Sequence, residues 1–307
     1  MSSSPIRAGR PAPASWAFAE GDPIAPGRTV LRHLGGGSRY EVYLVWDDRL
    51  FAVMVAKVLR PDQTEDAVAL RDLRKEVEAL ERLAHPVIVR GFGAVLDGPH
   101  PHVLIEHLEG PTLRSLLRRG GPLPLPQLLP LALHVAAALH YMAQEGYVHL
   151  DVKPDNIVMG VPPRLIDLSV ARTFERAARV RGLVGTDAYM APEQCDPARF
   201  PGAIGPPADV WGLAATLFHA VCGSVPFPRE DGARESPDLR VRFPQLAEPP
   251  VDLPPSAPRA LVDLIEAALA FDPAARPTAA ELAMGLEPLV AALPRKMVLG
   301  RRGITNR

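Results

Sequence analysis

The first third of the chain alternates strand-like runs with one long amphipathic segment. The runs are short and rich in β-branched and aromatic residues, as half-buried strands are. They are Val42 to Trp46, Phe51 to Leu59 and Val103 to Ile105. Between the second and third runs, residues 67–84 repeat apolar side chains at helical spacing. The apolar face of this predicted helix contains Leu70, Leu73, Val77, Leu80 and Leu83.

After Gly110 the pattern changes to longer segments rich in leucine and alanine, with helical spacing. These segments are residues 112–119, 127–145, 208–222, 258–270 and 278–292. The change predicts an α+β chain with two lobes. A small β-rich N-lobe with one long helix is expected at about 28–105, a hinge at about 106–110, and a larger helical C-lobe at about 111–292.

Proline marks the start of this arrangement and several of its loops. The chain has 35 prolines in 307 residues, about twice the usual share. One cluster lies in the first 26 residues, so we expect residues 1–27 to be a flexible segment rich in proline, alanine and serine. Residues 293–307 are basic and weakly periodic, and we expect them to form a tail outside the fold.

Charge and cysteine content narrow the classes of function. The formal net charge is -1 at pH 7, which gives no overall attraction to nucleic acid or an anionic membrane. Two cysteines, Cys195 and Cys222, are too few to cross-link a domain of this size and favour a reducing compartment, the cytoplasm. The longest apolar stretch, residues 128–143, is interrupted by Pro130 and His134, so we expect a buried helix and no membrane span. Proteins and nucleotides are the expected partners.

A glycine-rich turn from Leu34 to Val42 separates two strand-like segments. Glycine lets backbone N–H groups approach phosphate oxygens without a Cβ in the way, although such a turn alone indicates only a hairpin. Lys57 follows in an apolar run, where an ammonium group needs an anionic partner because burial of a lone charge is costly. Glu76 borders the inward face of the predicted helix and is the candidate partner.

The most informative segment is residues 147–158, which reads Tyr-Val-His-Leu-Asp-Val-Lys-Pro-Asp-Asn-Ile-Val. It brings a carboxylate, an ammonium and a carboxamide close together between two apolar segments, as phosphoryl transfer requires. Asp151 can accept a hydroxyl proton, Lys153 can neutralise charge on the phosphoryl group, and Asn156 can hold a metal ion. Asp167 follows at the end of the next apolar segment, and a second oxygen ligand near Asn156 suits Mg²⁺.

In this order, the segments resemble those of the protein-kinase superfamily, and the chain is most similar to the bacterial serine/threonine kinases of eukaryotic type. The resemblance covers about residues 28–292. The matching features are Lys57, Glu76, the HxDxKPxN loop at 149–156, Asp167, Gly185 to Glu193, Asp209 to Gly212, and Arg276. The resemblance implies a two-lobed kinase fold and transfer of the γ-phosphate of ATP to protein serine or threonine, with Mg²⁺ or, alternatively, Mn²⁺ as the metal ion.

The resemblance also implies roles for individual residues. Lys57 is expected to hold the α- and β-phosphates and to pair with Glu76, while the backbone from Glu106 to Leu108 is expected to bind adenine. The expected ATP-binding residues are Leu34, Gly35, Gly36, Gly37, Val42, Val55, Lys57, Ile105, Glu106 and Leu108. The expected catalytic residues are Asp151, Lys153, Lys57 and Glu76, and the expected metal ligands are Asn156 and Asp167.

Matched residues of the C-lobe have structural and substrate-side roles in this family. Glu193 and Arg276 are expected to form an ion pair, and Asp209 is expected to brace the catalytic loop. Lys153 and Thr186, the latter in the substrate loop, resemble the serine/threonine branch of the family.

The chain departs from the family pattern in four places, the last of which contains two residues. Tyr40 replaces the third glycine of the turn and is expected to stiffen the turn over the phosphates and to cost some nucleotide affinity, so that Tyr40→Gly would tighten ATP binding or raise turnover modestly. Val55 replaces a smaller alanine and is expected to narrow the adenine pocket. Leu150 replaces the arginine before the catalytic aspartate. Leu168 and Ser169 replace the phenylalanine and glycine that usually follow the metal aspartate, so the backbone freedom of that glycine is lost.

These departures motivate a second interpretation, a pseudokinase or scaffold that binds nucleotide with little phosphotransfer. Against it, all six polar residues of the expected site are present. A third interpretation is a small-molecule phosphotransferase of the aminoglycoside or choline type. Protein kinases are distinguished from that class by a set of segments associated with a peptide-binding helical lobe. The set consists of Gly185 to Glu193, Asp209 to Gly212 and Arg276, and its presence here argues against a small-molecule phosphotransferase.

The segment after the metal aspartate predicts an unusual mode of activation. Residues 174–185 contain no serine, threonine or tyrosine, and Leu150 stands where the family's arginine usually receives a phosphate. We therefore predict that the segment is ordered without phosphorylation, for example by Arg176, Arg179 and Arg181 pairing with carboxylates. The alternative is that these arginines are only solvated.

Overall fold

A computed structural model describes residues 13–294 of the protein. Its first lobe is built on an antiparallel sheet of six strands. Its strands are β1 (Pro23–Ala25), β2 (Arg28–Gly36), β3 (Tyr40–Asp47), β4 (Ala52–Leu59), β5 (Gly91–Val95) and β6 (His102–Glu106). They lie in the order β1-β2-β3-β4-β6-β5. The three predicted strand runs are confirmed as β3, β4 and β6.

The predicted amphipathic helix is confirmed as α1 (Ala67–Arg82), which lies against the sheet. The Asp66 side chain begins it by accepting a hydrogen bond from the Val68 N–H, a typical N-cap. Leu73 and Glu76 are both buried on its inner face. A carboxylate among apolar side chains requires a cationic partner, because an isolated buried charge is costly.

The second lobe is mainly helical. Its helices are α2 (Leu113–Gly120), α3 (Leu125–Gln144), α4 (Phe174–Ala178), α5 (Pro192–Cys195), α6 (Pro206–Cys222), α7 (Leu239–Arg242), α8 (Arg259–Ala268) and α9 (Ala279–Ala291). Two short antiparallel strand pairs carry the catalytic segments. They are β7 (Tyr147–Val148) with β10 (Arg172–Thr173), and β8 (Ile157–Val158) with β9 (Arg164–Leu165). The predicted α+β, two-lobed architecture is confirmed.

Helix α6 forms the centre of the second lobe and is buried from Ala208 to Ala220. Two prolines at its first positions cost no helical hydrogen bond, since the first N–H groups have no partner within a helix. Gly223 ends it in the left-handed conformation, with φ of 78°. Helix α3 packs against α6 and α9. Its length and apolar composition would allow it to cross a membrane, but half of its most apolar window is buried inside the protein.

The prediction of a flexible segment over residues 1–27 is wrong for residues 13–27, which pack on the first lobe. We call residues 13–18 the N-terminal strap. The indole Nε1 of Trp16 donates a hydrogen bond of 2.7 Å to the carbonyl oxygen of Leu59. Composition suggested flexibility because proline and alanine offer little apolar surface, but one tryptophan supplies both burial and a donor. The first twelve residues, and the predicted tail from position 295 onward, lie outside the described residues.

Glu41 connects the N-terminal strap to the glycine-rich turn. Its buried carboxylate accepts hydrogen bonds from the Ser15 hydroxyl at 2.6 Å and the Trp16 N–H at 2.9 Å. It also accepts from the Arg60 guanidinium at 3.2 Å. The same guanidinium donates to the Gly37 carbonyl oxygen at 2.6 Å. The strap and the turn therefore share one charged network.

Candidate active site

A cavity of about 760 Å³ lies between the lobes, and the predicted nucleotide site surrounds it. Of the predicted ATP-binding and metal-binding residues, all but Gly37 line the cavity. Those that line it are Leu34, Gly35, Gly36, Val42, Val55, Lys57, Ile105, Glu106, Leu108, Asn156 and Asp167. Three further apolar lining residues, Val89, Val158 and Ile166, were not predicted as site residues. Ile166 and Val158 each lie within two residues of a predicted metal ligand. This closeness along the chain could have predicted that both residues line the cavity.

The hinge offers backbone groups at the edge of this cavity. The Glu106 N–H already donates to the Arg90 carbonyl oxygen at 3.0 Å, so it is not free for adenine. The Glu106 side chain points toward Arg164, at 3.1 Å. Within residues 13–294, the Leu108 N–H makes no hydrogen bond to another residue. The Leu108 N–H is therefore open to a ligand, as expected for a residue that binds adenine through its backbone.

Lys57 lies at the centre of a three-residue charge cluster. Its Nζ donates to Glu76 Oε1 and Oε2 at 2.8 and 3.0 Å, and to Asp167 Oδ1 at 2.7 Å. Burial alone would lower the pKa of Lys57, but the carboxylates of Glu76 and Asp167 raise it well above its usual value. Burial would raise the pKa of Asp167, but the ammonium of Lys57 lowers it far below its usual value. Lys57 is therefore a cation and Asp167 an anion across the physiological pH range.

Asp151 is held by three neighbours at the base of the cleft. Lys153 Nζ donates to Asp151 Oδ2 at 2.6 Å, and the Thr186 hydroxyl donates to Asp151 Oδ1 at 2.7 Å. Lys153 Nζ also donates to Thr186 Oγ1 at 2.6 Å. The carboxamide Nδ2 of Asn156 donates to the Asp151 backbone oxygen at 2.9 Å. The structure thus brings together two of the predicted catalytic residues, Asp151 and Lys153, and the substrate-loop threonine.

The catalytic loop is braced from α6, as predicted for Asp209. The buried Asp209 carboxylate accepts from the N–H groups of His149 and Leu150, each at 2.7 Å. Leu150 has a φ of 64°, a left-handed conformation that costs roughly 1–3 kcal/mol for a side chain other than glycine. His149 also contacts the loop, since its ring nitrogens lie 3.3 Å from the Ile166 carbonyl oxygen and from the Asp151 N–H. His149 is the first residue of the HxDxKPxN loop, but the sequence pattern predicts no role for it.

Oxygen ligands at the predicted metal site fit a hard divalent cation. Because Asn156 Nδ2 is bound to the catalytic loop, the amide is held in one orientation, which leaves its oxygen as the ligand atom. Asp167 is an anion with Oδ1 bound to Lys57. Within residues 13–294, no cluster of three or more His, Cys, Asp or Glu side chains could hold a metal. Two oxygen ligands completed by phosphate oxygens are the arrangement that Mg²⁺ prefers.

Comparison with known proteins agrees with this geometry. The model of the protein kinase domain matches residues 28–285. The chain belongs to the protein kinase family. It is 32% identical to the serine/threonine-protein kinase PknB of Mycobacterium leprae over 232 residues. The aligned region covers 73% of this chain and 35% of that protein.

Two further relatives are kinases of other bacteria. The probable serine/threonine-protein kinase PkwA of Thermomonospora curvata is 33% identical over 267 residues, covering 85% of this chain and 34% of that protein. The serine/threonine-protein kinase PrkC of Bacillus subtilis is 28% identical over 257 residues, covering 82% and 38%. The chain spans about a third of the length of the curated relatives that it matches.

The activation segment, which follows Asp167, is held partly as predicted. Arg176 pairs with Glu78 of α1 at 3.0 Å, and Arg179 pairs with a neighbouring glutamate within α4. The prediction is wrong for Arg181, whose guanidinium donates to two backbone carbonyl oxygens. Exposed ion pairs contribute roughly 0–1 kcal/mol, so apolar packing matters more here. Ala177 and Val180 are buried in the main apolar cluster, as is Leu150 in the place of the family arginine.

The Tyr40 side chain, at the third glycine position, does not line the nucleotide cavity. It is buried in the apolar cluster shared by the sheet and α1, and α1 provides a space for the ring. The expected effect of Tyr40 on the stiffness of the turn stays a prediction. Leu168, after the metal aspartate, is likewise buried in that cluster.

Proposed function

We propose that this kinase transfers the γ-phosphate of Mg-ATP to serine or threonine hydroxyls of protein substrates. The observation that carries the proposal is the Asp151 carboxylate, held by Lys153 and Thr186 below the nucleotide cavity. A carboxylate fixed by one ammonium and one hydroxyl keeps a single orientation, and can accept a proton from an incoming hydroxyl group. The relatives' names, which describe serine/threonine-protein kinases, support the same acceptor class.

The site residues divide the reaction between binding and chemistry. Lys57, oriented by Glu76, is placed to bind the α- and β-phosphates. The acceptor hydroxyl oxygen attacks the γ-phosphorus, its proton passes to Asp151, and the bond to the β-phosphate oxygen breaks to release ADP. Lys153 lies between Asp151 and the substrate loop, where its ammonium neutralises charge on the phosphoryl group during transfer.

We propose Mg²⁺ as the physiological metal, held by Asn156 and Asp167, with Mn²⁺ as a substitute. The ion would neutralise charge on the β- and γ-phosphate oxygens. Support comes from the all-oxygen ligand set and from the low pKa of Asp167, which keeps its carboxylate ionised. Removal of the metal with a chelator should abolish turnover, and Mg²⁺ should restore it.

The competing interpretations lack a specific supporting observation in the described part of the chain. A scaffold without phosphotransfer does not need Asp151 in a network with Lys153 and Thr186. A small-molecule phosphotransferase does not need the buried pair of Glu193 and Arg276 next to the substrate loop. Both sets are assembled here, which supports a kinase acting on proteins.

We also propose a cytoplasmic location for this domain. The support is limited to cysteine chemistry: Cys195 and Cys222 are both free, and Cys195 is buried. Free thiols persist in a reducing compartment. A fusion of the full chain to a fluorescent protein, compared with a marker secreted from the same cells, would test this assignment.

The proposed activity is tested by incubating the purified chain with γ-labelled ATP, Mg²⁺ and a generic acceptor such as myelin basic protein. Acid hydrolysis of the product should yield labelled phosphoserine or phosphothreonine. The matched control is Asp151→Asn, which retains the size and most contacts of the side chain. Transfer by the wild type that is absent from this control supports the proposal, whereas equal label in both proteins contradicts it.

A further inference from the structure

Tyr40 faces the catalytic lysine because of strand register. In β3, residues two apart lie on the same face, so Tyr40 and Val42 share one face. Val42 is paired with Lys57 and Tyr40 with Leu59 across the β3–β4 ladder. Directly opposed residues of an antiparallel pair project to the same side. Tyr40 and Lys57 are therefore diagonal neighbours on the cleft side of the sheet.

The Tyr40 ring covers the Lys57 ammonium. Lys57 Nζ lies 4.7 Å from the ring centroid, above the face of the ring. The ammonium already donates to Glu76 and Asp167, so the aromatic face occupies a side that those carboxylates leave open. Attraction between a cation and an aromatic face is stronger when water is excluded, and the Lys57 side chain is only 12% exposed.

The same ring also contributes to the packing of α1 against the sheet. Tyr40 belongs to the buried cluster that includes Leu59 of β4 and Leu73 of α1. Burial raises the pKa of the Tyr40 hydroxyl, and the nearby Glu76 carboxylate raises it further. The ring thus lies where strand, lysine and helix meet.

The tyrosine hydroxyl itself has no use in this arrangement. It is buried and makes no hydrogen bond within residues 13–294. A buried hydroxyl without a partner is destabilising, so the stabilising contribution must come from the ring. The backbone at Tyr40 is held separately, because its carbonyl oxygen accepts from the Gly37 N–H at 3.0 Å in the turn.

We propose that Tyr40 is a positioning residue, whose ring holds the Lys57 ammonium and α1 in the arrangement that brings Lys57 and Glu76 together. This inference builds on the proposed kinase function. It gives a stabilising role to the side chain at a position where the family has glycine. In this chain, the ion pair is maintained from within the first lobe, by a side chain beneath the glycine-rich turn.

The test compares three substitutions of one residue. Tyr40→Phe keeps the aromatic face and removes the unpaired hydroxyl, Tyr40→Leu fills space without an aromatic face, and Tyr40→Gly restores the family residue. Steady-state kinetics with varied ATP are combined with calorimetric titration of ADP and Mg²⁺. We expect Tyr40→Phe to match the wild type within about twofold, and Tyr40→Leu to lose roughly 2- to 30-fold in kcat/KM for ATP. Tyr40→Gly should lose at least as much.

Val45 provides the matched control. It lies on the same strand but on the opposite face, in a separate apolar cluster. Val45→Ala should lower the unfolding temperature without changing the KM for ATP or the affinity for ADP. Equal loss of nucleotide affinity in Val45→Ala and Tyr40→Leu would overturn the proposal, because the effect would then be general destabilisation of the lobe.

Two other results would also overturn it. If Tyr40→Leu retains the affinity and turnover of Tyr40→Phe, filling the space is sufficient and the aromatic face has no role. If Tyr40→Gly improves ATP binding, the residue acts as an obstructive part of the turn. ADP binding is measured without turnover, so it tests the positioning role even if the wild-type chain does not phosphorylate the acceptor protein. Failure to phosphorylate the acceptor would contradict only the proposed function.

Discussion

Glu193 and Arg276 form a two-point ion pair, with Nη1 to Oε1 at 2.7 Å and Nη2 to Oε2 at 2.9 Å. Neither side chain is exposed to solvent. The Arg276 guanidinium also lies 4.9 Å from the Trp211 ring centroid. The pair thus joins the end of the activation segment to α6 and to the loop before α9.

Loss of one partner should strongly destabilise the second lobe. Arg276→Met leaves the Glu193 carboxylate buried without a cation, and we expect it to cost about 3–5 kcal/mol in the free energy of unfolding. Urea denaturation followed by circular dichroism measures this change. The double variant Glu193→Gln with Arg276→Met should recover part of the loss, since no charge is then left unpaired. A double variant as unstable as the sum of the two single ones would contradict this explanation.

Asp151 and Lys57 should fail in different ways. Asp151→Asn removes the proton acceptor, so turnover should fall by about 10²- to 10⁴-fold while affinity for ADP stays nearly unchanged. Lys57→Ala should weaken nucleotide binding as well as slow the reaction, because its ammonium faces the cavity. Phosphotransfer rates and calorimetric ADP binding separate the two effects. Equal activity of the wild type and Asp151→Asn would refute the catalytic assignment.

The activation segment should not need a phosphate. Residues 174–185 have no acceptor hydroxyl, and Leu150 is buried where an arginine would be required to receive the phosphate. We expect full activity after phosphatase treatment, with mass spectrometry verifying that residues 167–193 are unmodified. A large loss of initial rate, restored when a residue of this region is rephosphorylated, would show that the segment does depend on phosphate.

Glu41 should make a pH-dependent contribution to stability. Burial would raise the pKa of Glu41, but hydrogen bonds from Ser15, Trp16 and Tyr43 and the charge of Arg60 lower it below 4.5. A carboxyl group with a lowered pKa in the folded state stabilises the fold at pH values above its unfolded pKa, and this contribution is lost as pH falls through the folded pKa. Glu41→Gln should therefore be less stable than the wild type at pH 7, and the difference should shrink below about pH 4.5. Thermal unfolding measured from pH 7 down to pH 3 tests this, and a constant difference would contradict it.

The sequence was sufficient to predict that the polar residues of the catalytic loop lie together, but not where the Tyr40 ring packs. Asp151, Lys153 and Asn156 are close along the chain, and local spacing largely determines how their side chains meet. Tyr40 was interpreted from the turn in which it lies. Strand alternation alone placed it on the same face as Val42, but the location of α1, a non-local feature, decides that the ring contacts the helix.

Two further predictions are wrong because the partners of the side chains depend on the fold. Arg181 was expected to bind a carboxylate, but the nearest acceptors are carbonyl oxygens of its own segment. The N-terminal strap was expected to be flexible because the first 27 residues are rich in proline, alanine and serine. Its order depends on acceptors in β3 and β4, and neither residue type nor spacing along the chain predicts that these groups lie beside Ser15 and Trp16.

The network around Glu41 determines where this domain can be cut. The family match begins at residue 28, and a truncation at that boundary would remove two of the hydrogen-bond donors to the buried carboxylate of Glu41. Arg60 would remain as its cationic partner, and it would be drawn more strongly toward the carboxylate and away from the Gly37 carbonyl oxygen. We therefore expect a protein shortened to residue 28 to hold the glycine-rich turn less firmly, so ATP affinity should be measured on a protein that includes the N-terminal strap.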